Sequence, residues 1–209
     1  MKDEIIKPKK QVKILGFNTN EDLSMIEHAN SILSQVNHKI AAVSHLAKYM
    51  DFRTRLRYAD SHLISTINYG LPLFVSENEA AKNKINKAIM NAARFVHQSY
   101  CFRVSRFQIL DRLNWKLPEI QIKEASARLF HKINYFSKPE DINNKIRRPR
   151  SRRNADISMK VVPKTKPFSK CLINSMASTL NSIPDDLRYE KPHLFKVKLK
   201  KKGLKKENI

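Results

Sequence analysis

The stretch STINYGLPLF, residues 65–74, decides the fold, because it holds the strongest helix-ending signal in a chain of 209 residues with only 3 glycines. Gly70 can adopt the left-handed conformation that ends a helix without strain, and Pro72 prevents the helix from resuming. On both sides the apolar residues recur at helical spacing without internal glycine. We therefore predict a sharp corner between two long helices.

Helices are predicted outward from this corner in both directions. Apolar spacing upstream predicts one helix over about residues 20–47 and a second over 52–69. Downstream, Ser76 and Glu79 have the spacing of a capping box, which predicts the start of a third helix. A short helix is expected over 107–113.

Pro118 suits the first turn of a further helix, which apolar spacing extends to Phe136. Composition changes at Ser137. Residues 138–169 contain four prolines and the whole basic run KIRRPRSRR, residues 145–153, and they lack apolar periodicity, which predicts an extended basic linker. Residues 170–209 predict a small C-terminal helical segment with a Lys-rich tail.

The only clear strand candidate is QVKILGF, residues 11–17. A single strand cannot satisfy its own backbone hydrogen bonds, so we expect it to join a sheet outside the chain or to dock on the helices. The predicted fold class is mainly α, with one orphan strand in residues 1–19, a helical bundle over 20–137, the linker, and the C-terminal segment.

Charge is the strongest indicator of function, because 41 Lys and Arg against 19 Asp and Glu give a net charge of +22. This excess predicts a polyanionic partner, and nucleic acid releases condensed counterions when cations bind its backbone. An anionic membrane surface is the weaker alternative, since no apolar run approaches the about 18–20 residues of a membrane span and the N-terminus lacks a signal-peptide core. We expect an intracellular protein without a membrane partner.

No catalytic or metal site is predicted. The string YADS, residues 58–61, is similar to three-quarters of the Tyr-x-Asp-Asp signature of reverse transcriptases, but Ser61 replaces the second metal-binding aspartate and the spacing around Asp60 is helical. Asp185 and Asp186 follow a proline, and at such a predicted helix N-terminus carboxylates are stabilising. We therefore interpret them as capping residues. The histidines show no ligand spacing, and the two cysteines, 70 positions apart, suggest neither zinc nor a disulfide.

Arginines are the candidate nucleic-acid-binding residues, because the planar guanidinium matches phosphate geometry and aromatic residues are interleaved with some of them. One group was expected at each end of the bundle. A solvated helix face, a nuclear-localisation signal and a flexible spacer are the alternatives. The candidate residues are Arg53, Arg55, Arg57, Arg103, Arg106, Arg147, Arg148, Arg150, Arg152 and Arg153.

Several motifs in order resemble one known family. The sequence reads KILGF (13–17), INYGLP (67–72), AAR (92–94) and LNWKLP (113–118), and later LNSIPDDLR (180–188) and FKVKLK (195–200). This order resembles the region downstream of the palm in reverse transcriptases of jockey-like non-LTR retrotransposons. Leu180 stands where that family usually has tryptophan.

The resemblance implies that the strand closes a palm and that the helices form a thumb that holds a primer–template duplex. The fingers, the palm and the catalytic aspartates of that family are not found in this sequence. The resemblance therefore implies a fragment of an RNA-directed DNA polymerase that does not itself polymerise. Such a fragment needs no cofactor, although the parent enzyme would use magnesium. The implied partners are the backbone of RNA, DNA or an RNA–DNA hybrid, and the remainder of a reverse transcriptase in trans. The alternatives are a basic helical protein-interaction module and a non-functional element remnant.

Overall fold

A computed structural model describes residues 11–21, 24–98, 104–147, 157–159 and 171–202. The predicted mainly helical fold is confirmed. The chain packs as two compact units: Met1–Gly70 with Glu77–Trp115, and Leu71–Ser76 with Lys116–Ile209. The domain boundaries suggested by composition stay predictions. Within the described residues, no helix is both long and apolar enough to cross a membrane.

The first unit begins with a two-stranded hairpin, so the expected orphan strand is wrong. Strand β1, Gln11–Ile14, pairs antiparallel with β2, Phe17–Asn20, and Ile14 lies opposite Phe17. Leu15 and Gly16 form the connection, and both have positive φ angles, 49° and 88°. A two-residue turn with these angles matches the right-handed twist of the flanking strands. The strand therefore finds its partner within the same chain.

Two long helical stretches follow the hairpin. Helix α1 spans Ile26–Ala47, and its predicted start near residue 20 is wrong because residues 17–20 belong to the sheet. The second stretch comprises α2, Phe52–Tyr58, a π-helical segment, Ala59–Ile64, and α3, Ser65–Asn68. Together they confirm the helix predicted over 52–69.

The corner at Gly70 is confirmed. Gly70 has a φ of 74°, and a Cβ atom on it would lie only 2.1 Å from Cε1 of Phe17. Glycine is therefore required here both by the backbone and by the neighbouring ring. Pro72 lies in a 3₁₀ segment, Leu71–Val75, where the chain passes into the second unit.

Helix α4, Glu79–His97, completes the core of the first unit with α1. The predicted capping box at Ser76 is wrong: Asn78 is the N-cap, and its side chain accepts a hydrogen bond from the Ala81 amide at 2.9 Å. Helix α5, Arg106–Arg112, begins with a capping box formed by Ser105 and Gln108. Buried apolar side chains of this unit include Val36, Leu63, Ile67, Ile85, Ile89, Phe95 and Leu110.

Helices α1 and α4 run in the same direction. The Met25 amide donates to Glu77 at one end, and Gln98 Nε2 donates to the Ala47 carbonyl at 2.7 Å at the other. Asn91 and Asn37 are hydrogen-bonded between these points. The C-terminal ends of both helices consequently lie side by side.

The second unit is organised around α6, Pro118–Phe136, which confirms the predicted start at Pro118. The 3₁₀ segment packs on α6, and Ser126 Oγ donates to the Pro72 carbonyl at 2.8 Å. The remaining helices are α7, Glu140–Asn143; α8, Leu172–Asn181; α9, Asp185–Arg188; and α10, Pro192–Lys202. The core includes Ala127, Phe130, Ile133, Met176, Leu180, Ile183, Leu187, Phe195 and Leu199.

The predicted extended linker contains folded segments. Strand β3, Ile146–Arg147, pairs antiparallel with β4, Ser158–Met159. Ile146 and Ile157 are buried in the core of the second unit. The start of the basic run and the segment after it are therefore anchored in the second unit by Ile146 and Ile157, isolated isoleucines that are too sparse to show a period.

Candidate nucleic-acid interface

Arg55 is a structural residue rather than an exposed ligand for phosphate. Its side chain is only 9% exposed, and Nε donates to the Val96 carbonyl at 2.9 Å. Nη1 donates to the carbonyls of Met50 and Ala47. Carbonyl groups at helix C-termini lack intrahelical partners, so this guanidinium satisfies groups from α1, the following turn and α4. Its burial and its carbonyl partners disfavour the predicted contact of Arg55 with phosphate.

Arg53 and Arg57 remain exposed candidates on the neighbouring surface of α2. They are four positions apart, so they lie on the same face of the helix. Asp51 caps this helix by accepting a hydrogen bond from the Thr54 amide at 2.8 Å. Hydrogen bonds from Thr54, with a smaller effect of Arg55 and Arg53, hold the pKa of Asp51 below its usual value.

Arg106 is also exposed, and its helix lies beside the same end of α4. Helix α5 reaches this end through a 2.8 Å hydrogen bond between Arg112 Nη1 and His97 Nε2. Helix α2 is joined to the C-terminal end of α4 through Arg55, and α5 is joined to it through Arg112. Packing of α1 parallel to α4 brings them there, and the sequence pattern does not encode that direction.

Several predicted arginines cannot be placed. Arg103, Arg148, Arg150, Arg152 and Arg153 lie outside the described residues, and Arg147 is described only by its backbone in β3. The candidates that the structure shows to be exposed, Arg53, Arg57 and Arg106, all belong to the first unit.

Exposed aromatic side chains accompany these arginines, and of these the interleaved pattern includes Phe107 but did not predict Tyr49. Tyr49 is 78% exposed and Phe52 is 44% exposed, and both lie near the turn between α1 and α2. Phe107 on α5 is 56% exposed. The signal was the string KYMDFR, residues 48–53, in which the aromatic residues interrupt the apolar period of α1. We call Lys48, Tyr49, Phe52, Arg53, Arg106 and Phe107 the aromatic–basic end.

Each of two rings at the aromatic–basic end has a cation beside it. Lys48 Nζ lies 4.8 Å from the centroid of the Tyr49 ring, and Arg106 Cζ lies 5.1 Å from the centroid of the Phe107 ring. These distances fall within the range of cation–π interactions.

No family model, curated protein or solved structure matches this chain. The function is therefore inferred from the described residues and from the motifs of the sequence.

The YADS string is helical, as its spacing predicted. Tyr58 ends α2, and Ala59, Asp60 and Ser61 begin the π-helical segment. Asp60 is exposed, and partial desolvation raises its pKa. The described residues contain no group of three His, Cys, Asp or Glu side chains that could hold a metal ion. Asp185 and Asp186 occupy the first turn of α9.

Two of the motifs that carry the resemblance meet in space. The Tyr69 hydroxyl donates to the Leu15 carbonyl at 2.6 Å, and its ring stacks on Phe17 with centroids 5.0 Å apart. The Phe17 ring also lies against the Gly70 backbone. The first motif, KILGF, therefore contacts the second, INYGLP, although more than fifty residues separate them. These residues hold the hairpin to the helices, so their identities follow from packing.

The late motif LNSIPDDLR is also a packing unit. Asn181 Oδ1 accepts from the Ile157 amide at 3.0 Å, and Nδ2 donates to the Ile157 carbonyl at 2.9 Å. Arg188 donates to the carbonyls of Asn181 and Ile183 near the end of α8. The motif thus ends one helix, starts the next and fixes the chain at Ile157.

Proposed function

We propose that this protein is a nucleic-acid-binding, thumb-like module related to the reverse transcriptases of non-LTR retrotransposons, and that it binds RNA, DNA or an RNA–DNA hybrid through the sugar–phosphate backbone without catalysing polymerisation. The observation that carries the proposal is the exposure of Arg53, Arg57 and Arg106 on α2 and α5, two helices that both pack on α4, in a chain with a net charge of +22.

Backbone binding suits these arginines better than base readout does. Each lies on a short helix flanked by other charged or aromatic residues, and guanidinium groups can donate two parallel hydrogen bonds to a phosphate. Arg55 supports the arrangement from within by bonding the C-terminal carbonyls of α1 and α4, whose partial negative charge would otherwise repel an anion.

A non-catalytic role is favoured by the surroundings of Asp60. A two-metal polymerase site needs adjacent carboxylates, but Ser61 follows Asp60 here, and both lie in helical backbone. The proposal therefore assigns no metal to this chain.

The test is binding of the purified chain to an RNA–DNA hybrid, duplex DNA and single-stranded RNA over a salt series, with and without magnesium. We expect the logarithm of the affinity to fall linearly with the logarithm of salt concentration, with a slope of about 0.9 for each phosphate neutralised on a duplex. Magnesium should have no effect beyond its ionic strength.

A triple variant separates this site from general charge. Replacing Arg53, Arg57 and Arg106 by Ala should lower the affinity and reduce the slope by about 2 to 3. The matched control replaces three exposed lysines elsewhere in the two units, Lys87, Lys132 and Lys138, and makes the same change in net charge. Equal losses in both triple variants would contradict a localised interface.

A further inference from the structure

We propose that the aromatic–basic end binds unpaired bases of a single-stranded segment, which stack on Tyr49 and Phe107 while the neighbouring cations hold the phosphates. The inference rests on the proposed function and names the part of the polymer recognised. Backbone binding alone would not distinguish a strand with bases from one without them.

The exposure of the rings is the first observation. Tyr49 and Phe107 expose 78% and 56% of their surface, whereas Phe95 in the same unit is completely buried. Leu46, on the last turn of α1, is 46% exposed and lies three positions before Tyr49. Apolar surface is thus exposed where α1 ends, and flat rings with accessible surface provide stacking platforms for any base.

The pairing of rings with cations is the second observation. Lys48 lies against Tyr49 and Arg106 lies against Phe107. A nucleotide likewise combines a flat π-system with an adjacent anionic phosphate. One ring and one cation can therefore contact one nucleotide, the base by stacking and the phosphate by charge.

The helices that carry the two ring–cation pairs are both joined to the C-terminal end of α4. Helix α5 has seven residues, so it is about 10 Å long, and its last residue, Arg112, is hydrogen-bonded to His97 at the end of α4. Tyr49 follows α1 by two positions, and α1 ends beside Gln98. Both pairs therefore belong to elements that meet at residues 97 and 98.

Charge complementarity selects nucleic acid over other partners. An acidic peptide would neutralise Lys48, Arg53 and Arg106 but would leave the rings exposed, whereas a lipid surface needs a continuous apolar face that these interspersed charges interrupt. The Asp51 carboxylate is engaged in capping α2. Arg55 and Gln98 already bond the nearby helix carbonyls, which removes acceptors that would disfavour phosphate.

The experiment compares three probes on the full chain: a blunt RNA–DNA hybrid, the same hybrid with a short single-stranded overhang, and the same overhang made of abasic nucleotides. The abasic overhang keeps every phosphate and lacks only the bases. We expect the base-containing overhang to bind about five-fold to a hundred-fold more tightly than the abasic one.

Variants assign this ratio to individual side chains. Tyr49→Ala and Phe107→Ala should each reduce the ratio, and Tyr49→Phe should preserve it. Lys48→Ala should weaken binding to both overhang probes equally, because both keep the overhang phosphates, and should leave the ratio unchanged. The control is Tyr189→Ala, because Tyr189 is 63% exposed in the second unit and should not affect the ratio.

The possible failures are distinguishable. If wild-type protein binds the hybrid but binds the two overhangs equally, the stacking proposal is overturned and backbone binding stands. If wild-type protein binds none of the probes, the proposed function itself is overturned. The comparison of overhangs uses wild-type protein, so it remains decisive even where an alanine variant does not fold.

Discussion

Replacement of Arg55 by Ala should destabilise the first unit much more than replacement of Arg53 by Ala, although both arginines belong to α2. Arg55 donates to three main-chain carbonyls and is 9% exposed, whereas Arg53 is exposed. A hydrogen bond from a charged donor contributes about 1.5–3 kcal/mol, and water can replace part of the loss near the surface. We therefore expect Arg55→Ala to lower the free energy of unfolding by about 3–5 kcal/mol.

The assay is urea unfolding followed by the fluorescence of Trp115. It is the only tryptophan of the chain, and it belongs to the first unit. Arg55→Ala should shift the midpoint strongly, and Arg53→Ala should change the free energy by no more than about 0.5 kcal/mol. Arg55→Lys should recover little, because an ammonium cannot reproduce the fork that reaches carbonyls of both α1 and α4.

Nucleic-acid binding provides the opposite comparison. Arg53→Ala should lower the affinity and the salt slope, whereas Arg55→Ala, measured where it is folded, should leave the slope unchanged because Arg55 is engaged with carbonyl groups. An Arg55→Ala protein of wild-type stability with a reduced salt slope would show instead that Arg55 acts on phosphate directly.

Two further changes test the packing of each unit. Gly70→Ala should lower the free energy of unfolding by about 2–5 kcal/mol, because a left-handed alanine costs about 1–2 kcal/mol and displacing the Phe17 ring costs about 1–3 kcal/mol. Gly16→Ala should cost only the backbone part, because its Cβ would meet its nearest atom at 3.5 Å. Equal urea midpoints for the two variants would contradict the steric contribution of Phe17. His131 stacks on Phe195 at 4.0 Å, and burial lowers its pKa below 6.5. As the pH falls through 6.5 the unfolded chain binds a proton that the folded chain resists, so stability should decrease by up to about 1.4 kcal/mol per pH unit. His131→Phe should reduce this dependence in urea titrations at pH 7 and pH 5, and an unchanged dependence would assign it to other groups.

The helices could be predicted because their signals are local. Apolar spacing and the punctuation at Gly70 and Pro118 depend on residues within a few turns, and the structure confirms both. The hairpin could not be predicted in the same way, because its turn places Leu15 at a φ of 49°, which leucine disfavours. The Tyr69 hydroxyl contacts the Leu15 carbonyl from 54 positions away, so the stabilising contact is invisible to local pattern.

The candidate site was predicted in part for the same reason. Basic residues interleaved with aromatic ones drew attention to α2 and α5, but burial of an individual side chain depends on the helix that covers it. Arg55 bonds Val96 across 41 positions, and no feature of the string FRTRLRY separates it from Arg53 or Arg57. The exposed Tyr49 was overlooked because single aromatic residues beside a helix end have no periodic signature.

The motifs behind the resemblance and the residues proposed to bind nucleic acid are different sets. Phe17, Tyr69 and Gly70 join the hairpin to the helices, while Asn181 and Arg188 fix the chain around Ile157 and the end of α8. Each of these residues would be required wherever this packing occurs. A variant at the aromatic–basic end should therefore lose the proposed affinity without losing stability. A variant within a motif should lose stability first, so the two measurements together separate residues that hold the fold from residues that bind.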